Sequence, residues 1–358
     1  MPLLPVSHAA FVCPQTHPAI ALAREQQRRK IQSGIAAGSG PGGSMPFLMQ
    51  SVAVNDGSVE VTRTYFPSKA EKKEEGDGGV PVTETYSIAT RIFRPMSLSS
   101  RQAAPILVLH GGPSVPADYL YPLVDFVPYR AMVYYDQVGC GRSTQPKDLN
   151  AYSISAAVDD LEAVIKKLNL RRFHIYGQSF GGILAFEYLK RTAERKGSGD
   201  TSRNDDEGCL SVIFSSAPTS VNLVEASAER LLDVLRDQDD EEETLGDRFR
   251  MTHQCRMEAM PSPLIDAYAH AGTVWRGTAA IPGYEAQPPS ENAARMPSAM
   301  VMRGEYDFVD GECVEGWKAC FNHDFVRVKV MEGCGHHGLL ENGRAYGEAV
   351  NAFFSEYD

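Results

Sequence analysis

The stretch that decides the fold is Phe173-His174-Ile175-Tyr176-Gly177-Gln178-Ser179-Phe180-Gly181, which is followed by a helical pattern over residues 182–191. The apolar residues at its start predict a buried strand. The small residues on either side of the serine allow the chain to turn sharply from strand to helix, so that the hydroxyl projects above a sheet and over a helix N-terminus. Ser179 is therefore predicted to be a catalytic nucleophile.

A serine hydroxyl is a poor nucleophile on its own, and it needs a base and a group that orients the base. Residues 299–302 are apolar and predict a buried strand, which leads into Arg303-Gly304-Glu305-Tyr306-Asp307. Catalytic loops follow the carboxyl ends of strands in parallel sheets. Asp307 is the predicted acid, with Glu305 and Asp310 as rivals.

The base is predicted on a second loop at the same edge of the sheet. Residues 326–330 read as a strand and lead into Gly333-Cys334-Gly335-His336-His337-Gly338. An imidazole is the usual base beside a serine nucleophile. The spacing alone does not choose between His336 and His337.

An oxyanion hole is predicted upstream. Residues 104–109 form an apolar run that ends in His110-Gly111-Gly112-Pro113. The backbone N–H groups of such a glycine turn can point into the active-site cleft. The predicted donors are the amides of Gly111 and Phe180.

Taken together, these motifs resemble the signature blocks of the prolyl iminopeptidases. The blocks are His110-Gly111-Gly112-Pro113, residues 135–143 (Tyr-Asp-Gln-Val-Gly-Cys-Gly-Arg-Ser), residues 177–182, residues 304–307, and Gly335-His336 with Glu341 five positions on. The resemblance covers roughly residues 105–354. It selects His336 as the base, because the family places a glutamate five residues after its catalytic histidine. The chain departs from the family at Ser114, where the family usually has glycine.

The resemblance implies an α/β-hydrolase fold, in which a mostly parallel central sheet carries helices on both faces and an inserted helical cap. The alternation of predicted strands and helices agrees with it, including an amphipathic crossover helix over residues 155–168. The predicted organisation is a disordered or targeting extension (1–44), a first part of the core (45–217), the cap (218–294) and a second part of the core (295–358).

The activity implied is that of a serine aminopeptidase, which releases an N-terminal residue, preferably proline, from short peptides through Ser179, His336, Asp307 and an acyl-enzyme. Glu258 and Glu285 lie in cap segments that resemble those holding the amine-binding acids of the family. They are predicted to bind the free amine of the substrate. The alternatives are an amino-acid amidase or carboxylesterase on the same triad, and a degenerate hydrolase-fold binding protein without activity.

The composition limits the classes of partner that the chain is expected to bind. The formal charge of -11 and a pI near 5.4 argue against binding to nucleic acid or an anionic membrane. Seven cysteines without paired C-x-x-C spacing indicate neither a disulfide framework nor a zinc site, and no metal or cofactor is predicted. Short peptides, or small amides and esters with a free N-terminus, are the expected substrates. The expected location is cytoplasmic, or organellar if residues 1–44 are a transit peptide, and the oligomeric state stays open.

Overall fold

The computed structural model describes residues 52–68, 80–95, 103–199, 208–237, 243–321 and 326–358. The predicted extension over residues 1–44 lies outside these ranges, as do residues 69–79 and 238–242. The boundaries of the predicted domains stay predictions.

One eight-stranded sheet forms the centre of the molecule. Its strands are β1 (Val52–Tyr65), β2 (Val82–Pro95), β3 (Ile106–Leu109), β4 (Met132–Tyr135), β5 (Arg172–Gln178), β6 (Gly208–Ser215), β7 (Ser298–Gly304) and β8 (Val326–Met331). Their order across the sheet is β1-β2-β4-β3-β5-β6-β7-β8. The β1/β2 and β2/β4 pairs are antiparallel, and every later pair is parallel. The predicted mostly parallel sheet is confirmed.

The helices of the core and of the predicted cap follow the strands in chain order. They are α1 (Leu123–Phe126), α2 (Ile154–Lys167), α3 (Phe180–Gly197), α4 (Val221–Arg236), α5 (Leu245–Phe249), α6 (Ser262–Ala269), α7 (Gly311–Glu315), α8 (Trp317–Cys320), α9 (Gly338–Glu341) and α10 (Gly343–Ser355). A π-helix spans Arg250–Gln254, and short 3-10 helices span Ala117–Leu120, Leu149–Ala151 and Thr278–Ala280.

In the middle of the sheet, both faces are buried under helices. Side chains alternate along β3, so that Leu107 and Leu109 join the core cluster beneath α2 and α3, whereas Ile106 and Val108 join the cluster beneath α10. All four are fully buried. A strand buried on both faces reads as a continuous apolar run, which is the pattern that predicted it.

The crossover helix α2 shows how the local sequence sets an element. Ser153 caps its N-terminus by accepting a hydrogen bond from the Ala156 amide at 3.0 Å. Lys166 and Lys167 lie in the last turn, where the helix dipole favours cations. Its buried apolar face includes Leu161 and Ile165, which pack in the same cluster as α3.

The segment between β6 and β7 differs from the core. We call residues 218–294 the cap segment. Its described part consists of helices and irregular chain, together with an isolated bridge between Ser220 and Glu285. Because β6 is parallel to β5 and ends at the same edge of the sheet, the cap segment begins beside the serine turn.

Candidate active site

Ser179 occupies a strained turn between β5 and α3. Its φ is 53° and its ψ is −120°, a combination that the surrounding chain must enforce. A Cβ on Gly177 would lie 2.5 Å from the Gly181 carbonyl oxygen, and one on Gly181 would lie 2.2 Å from the Leu109 carbonyl oxygen. Only glycine fits at these two positions, which explains the spacing around the serine. The Ser179 amide donates to the Ser215 carbonyl at 2.8 Å and ties the turn to β6.

Asp307 and His336 are brought together from the ends of β7 and β8. The His336 Nδ1 lies 2.8 Å from Asp307 Oδ1, and both side chains are buried. The same carboxylate oxygen accepts a hydrogen bond from the Val309 amide at 2.9 Å. Phe308 stacks on the imidazole with a centroid separation of 4.3 Å. These contacts hold the ring with Nδ1 toward the carboxylate, so that Nε2 is the nitrogen left for a substrate or a nucleophile.

The two rival acids of this region have other partners. Glu305 is exposed and accepts a hydrogen bond from the Gly333 amide at 2.9 Å. Asp310 caps α7 by accepting from the Glu312 amide at 3.0 Å, and it forms an ion pair with Arg230 at 2.6 Å. Both carboxylates therefore stabilise local backbone, whereas the Asp307 carboxylate contacts an imidazole.

His337 is turned away from Asp307. Its Nε2 lies 3.3 Å from the Tyr268 hydroxyl, and its ring meets Tyr119 edge-on at 5.3 Å between centroids. Burial holds the pKa of His337 well below its ordinary value, with a smaller contribution from the neighbouring His336. The ring is thus neutral at physiological pH and packs as part of the cavity wall.

Glu341 supports the histidine loop from behind. One of its carboxylate oxygens accepts from the Gly335 amide at 2.5 Å, and the other accepts from the Arg256 amide at 3.1 Å. Burial raises the pKa of Glu341, and these two backbone donors oppose the rise. The glutamate five residues after His336 therefore acts on the backbone of the loop.

A π-helix that the sequence did not predict holds the same loop from the cap side. The His336 amide donates to the His253 carbonyl at 3.0 Å, and the His337 amide donates to the Gln254 carbonyl at 3.0 Å. Both acceptors lie at the end of the π-helix (Arg250–Gln254). Single-turn π-helices often occur at functional sites, and this one connects the cap segment to the imidazole.

The glycine turn after β3 presents Gly112 to the cavity in place of Gly111. The Gly111 amide donates to the Tyr119 hydroxyl at 2.8 Å, and that hydroxyl donates to Gln178 Oε1 at 2.6 Å. The predicted role of Gly111 as an oxyanion donor does not fit this geometry, because its N–H group is already used. Gly112 lines the cavity together with Phe180, whose amide begins α3.

The block at residues 135–143 supports this turn. The Gln137 amide donates to His110 Nε2 at 2.9 Å, and the Gln137 side chain donates to the His110 carbonyl at 2.8 Å. Burial lowers the pKa of His110, which agrees with a neutral ring that accepts a hydrogen bond. Ser114, which replaces the usual glycine, keeps a φ of 67° in the left-handed region. The serine therefore adopts a backbone conformation that glycine adopts more easily.

We expect Tyr119→Phe to lower both stability and turnover. The change leaves the Gly111 N–H and the Gln178 amide oxygen without their buried partner, at a cost on the order of 2 kcal/mol in the free energy of unfolding. We expect kcat to fall by about tenfold, because the turn that carries Gly112 loses its anchor. Urea unfolding and kcat on an ester substrate measure the two effects.

The control for this change is Tyr121→Phe, which removes a hydroxyl that accepts from Arg142 at 2.7 Å outside the cavity. Its kcat should stay close to that of the wild type. A wild-type kcat for Tyr119→Phe would show that the anchoring of this turn is unimportant for turnover.

Glu258 and Glu285 are not brought to the cavity. Both are exposed, and neither is among the described residues that line the space next to Ser179. The backbone around Glu258 is held by Arg250, which donates to the Cys255 and Met257 carbonyls. Glu285 pairs with Ser220 through the isolated bridge. Their predicted role as buried amine-binding acids does not fit this placement.

A cavity joins the groups described above. It contains about 830 Å³ of space, including its open mouth, and Ser179, His336, Gly112 and Phe180 all lie on its wall. Ser179 is half-buried and faces it. Much of the wall is apolar, with contributions from α4 and from Ile281.

The sequence that carries this geometry also matches a known family. The model of the alpha/beta hydrolase family matches residues 106–349, well over half of the chain. The chain belongs to the alpha/beta hydrolase family. The serine turn, the acid after β7 and the histidine after β8 lie in this hydrolase chain in the order that the fold uses.

Curated relatives of the hydrolase include two proline iminopeptidases. The one from Lacticaseibacillus rhamnosus is 32% identical over 148 residues, which is 41% of this chain and 46% of the relative. The one from Saccharolobus solfataricus is 32% identical over 181 residues, which is 47% of this chain and 55% of the relative. The hydrolase thus spans about half the length of these relatives.

Solved structures support the fold. The proline iminopeptidase of Mycobacterium smegmatis superposes with a TM-score of 0.57 at 22% identity, covering 83% of this chain and 98% of that one. VinJ superposes with a TM-score of 0.57 at 21% identity, covering 76% of this chain and 96% of that one. Among the described residues, no group of three His, Cys, Asp or Glu could hold a metal ion, and no helix is long and apolar enough to cross a membrane.

Proposed function

We propose that the chain is a serine aminopeptidase that releases an N-terminal residue, preferably proline, from short peptides. The observation that carries the proposal is the 2.8 Å contact between His336 Nδ1 and Asp307 Oδ1, on the wall of the cavity that Ser179 faces. The matching segments of the proline iminopeptidases support the choice of substrate.

In the proposed reaction, Nε2 of His336 takes the proton of the Ser179 hydroxyl while the serine oxygen attacks the carbonyl of the N-terminal residue. Asp307 holds the Nδ1–H tautomer and stabilises the positive charge that develops on the ring. The amides of Gly112 and Phe180 donate to the oxyanion. His336 then returns the proton to the leaving nitrogen, and the C–N bond breaks to leave an acyl-enzyme.

Water completes the cycle with the same groups. His336 takes a proton from a water molecule as that water attacks the ester carbonyl, and it returns the proton to Ser179 as the residue leaves. In the described structure the Ser179 hydroxyl makes no hydrogen bond to His336. Such bonds are often long in unliganded enzymes and tighten when the substrate binds.

The second candidate is an amino-acid amidase or carboxylesterase on the same triad. It is favoured by one observation: the described residues that line the cavity include no Asp or Glu. A free substrate amine would meet neutral oxygen acceptors there, such as the Gln254 amide and the Thr278 hydroxyl. Neutral acceptors bind an ammonium less strongly than a carboxylate does, so discrimination against blocked substrates would be weaker.

A substrate panel separates these candidates. We expect the kcat/KM for prolyl-naphthylamide to be at least tenfold higher than the kcat/KM for N-acetylprolyl-naphthylamide. Acetylation removes the N–H donors of the substrate's imino group, so acceptors of the site lose their hydrogen-bond partners. A factor of ten corresponds to about 1.4 kcal/mol. Equal rates on the two would favour the amidase or esterase.

Labelling by a fluorophosphonate probe tests whether the site is active at all. We expect the probe to modify Ser179, and the Ser179→Ala variant serves as the unlabelled control. Failure of the folded wild type to react would favour the degenerate binding protein over both enzymatic candidates.

A further inference from the structure

His253, near the end of the π-helix, contacts both of the loops that carry the acid and the base. Its Nδ1 lies 2.8 Å from the carbonyl oxygen of Tyr306, the residue directly before Asp307. Its own carbonyl accepts a hydrogen bond from the His336 amide at 3.0 Å. One residue of the cap segment is thus hydrogen-bonded to the backbone beside the acid and to the backbone of the base.

The contact with Tyr306 defines which nitrogen of the His253 ring carries a proton. A carbonyl oxygen can only accept, so Nδ1 must be protonated and must donate to it. Burial lowers the pKa of His253, and the hydrogen bond to Tyr306 opposes this change without reversing it. The ring is therefore a neutral donor at physiological pH.

The surroundings of His253 hold it in place. Only 9% of the residue is exposed, and Phe249 of α5 packs against its ring with 5.3 Å between centroids. On the other side the histidine loop approaches closely, since a Cβ on Gly335 would lie 2.8 Å from the His253 carbonyl oxygen. Because packing of this density resists displacement, the residue can act as a spacer between the two loops.

The position of the Tyr306–Asp307 peptide matters because Asp307 orients the imidazole. Its Oδ1 lies 2.8 Å from His336 Nδ1. The carbonyl that His253 holds belongs to this same peptide, so a rotation of the peptide would displace the acid. A displacement of about 1 Å in a reacting group can lower a rate by roughly a hundredfold.

We propose that His253 is a positioning residue of the triad, whose Nδ1–H group holds the Tyr306–Asp307 peptide in the orientation that brings the carboxylate to His336. This inference rests on the proposed function, because it requires that Ser179, His336 and Asp307 react as a triad. Among the described residues, His253 is not one of those that line the cavity. It therefore acts through Asp307, on the rate of the chemical step and not on the binding of substrate.

The test removes the donor and measures hydrolysis of p-nitrophenyl acetate, an ester that needs the triad but offers no amine to recognise. We expect His253→Leu to lower kcat by about tenfold, which corresponds to about 1.4 kcal/mol for the lost hydrogen bond. KM should change by less than about twofold, because the change affects the transition state and not the bound ester.

Two amide variants test whether the donor itself is responsible. Asparagine places its amide nitrogen where the imidazole has Nδ1, so His253→Asn should recover kcat to within about threefold of the wild type. Glutamine places its amide nitrogen one bond further out, so His253→Gln should stay close to His253→Leu. A structural role that needed only a polar side chain would give the two amides the same kcat.

A double-variant cycle separates positioning from a general effect on packing. In an Asp307→Asn background the acid no longer orients the imidazole, so adding His253→Leu should lower kcat by less than about twofold. The matched control is His270→Leu. The His270 Nδ1 also lies 2.8 Å from a backbone carbonyl, that of Asp266, but this residue directly follows α6 and does not line the cavity. Its loss should leave kcat at the wild-type value.

Three results would overturn the inference and leave the proposed function in place. They are a wild-type kcat in folded His253→Leu, a full tenfold loss in the Asp307→Asn background, and equal kcat values for the Asn and Gln variants. The last comparison decides if His253→Leu does not fold. Absence of turnover by the wild type on both the ester and prolyl-naphthylamide would reject the proposed function and the inference with it.

Discussion

Ser179→Ala is expected to lower kcat by roughly 10⁴- to 10⁶-fold, the range observed when a serine hydrolase loses its nucleophile. Alanine keeps the Cβ and removes only the hydroxyl, so the turn between β5 and α3 should survive. The amide at this position donates to the Ser215 carbonyl at 2.8 Å, and because it is a backbone group we expect the variant to keep this bond. Single-turnover kinetics and thermal unfolding, measured on the same preparation, separate loss of chemistry from loss of fold.

The two adjacent histidines offer an internal control for the base. His336→Ala should lower kcat about as much as Ser179→Ala, because serine and histidine act as one unit. His337→Ala should cost far less turnover, since that ring contacts Tyr268 and Tyr119 and not Asp307. A Ser179/His336 double variant should be little worse than either single variant.

The outcome that would contradict this assignment is a larger loss for His337→Ala than for His336→Ala in folded protein. Additive losses in the double variant would also argue against a shared mechanism. Either result would require a different base.

Asp307→Asn is expected to reduce kcat by about 10³- to 10⁴-fold with little change in the fold, as found when the acid of a triad is replaced by its amide. The carboxylate accepts from His336 Nδ1 at 2.8 Å and from the Val309 amide at 2.9 Å through the same oxygen. An asparagine amide that donates to Nδ1 stabilises the tautomer whose proton is on Nε2. That nitrogen can then no longer accept the serine proton.

The rival acids serve as controls for Asp307. Glu305→Gln removes an exposed charge and should leave kcat close to that of the wild type. Asp310→Asn weakens the cap of α7 and the ion pair with Arg230, so its effect should appear in stability, at about 1 kcal/mol, and not in kcat. A loss of activity in either control that exceeds the loss in Asp307→Asn would move the acid to that residue.

Much of the fold could be read from local sequence. Strands buried on both faces were visible as apolar runs, and α2 was visible from its period and charges. Two elements depend on more than local sequence. The strand β1 (Val52–Tyr65) is continuous because it pairs with β2 along its whole length. The helix α3 continues to Gly197, beyond the helical pattern of residues 182–191.

For the site, the sequence by itself determined the elements that carry Ser179, Asp307 and His336, because each follows a recognisable strand and parallel strands end at one edge of the sheet. The spacing alone did not decide whether His336 or His337 is the base, and the family pattern selected His336. The structure brings His336 to Asp307 and turns His337 toward Tyr268.

Only the tertiary structure decided which groups face the cavity. The Gly111 amide is taken by Tyr119, Glu258 and Glu285 point outward, and Arg276 lies on the cavity wall. The physical reason is the range of the contacts involved. A strand or a helix is encoded by residues a few positions apart, whereas the direction of a side chain in the cap segment depends on packing against residues such as Phe180, which lies about a hundred positions away in the sequence.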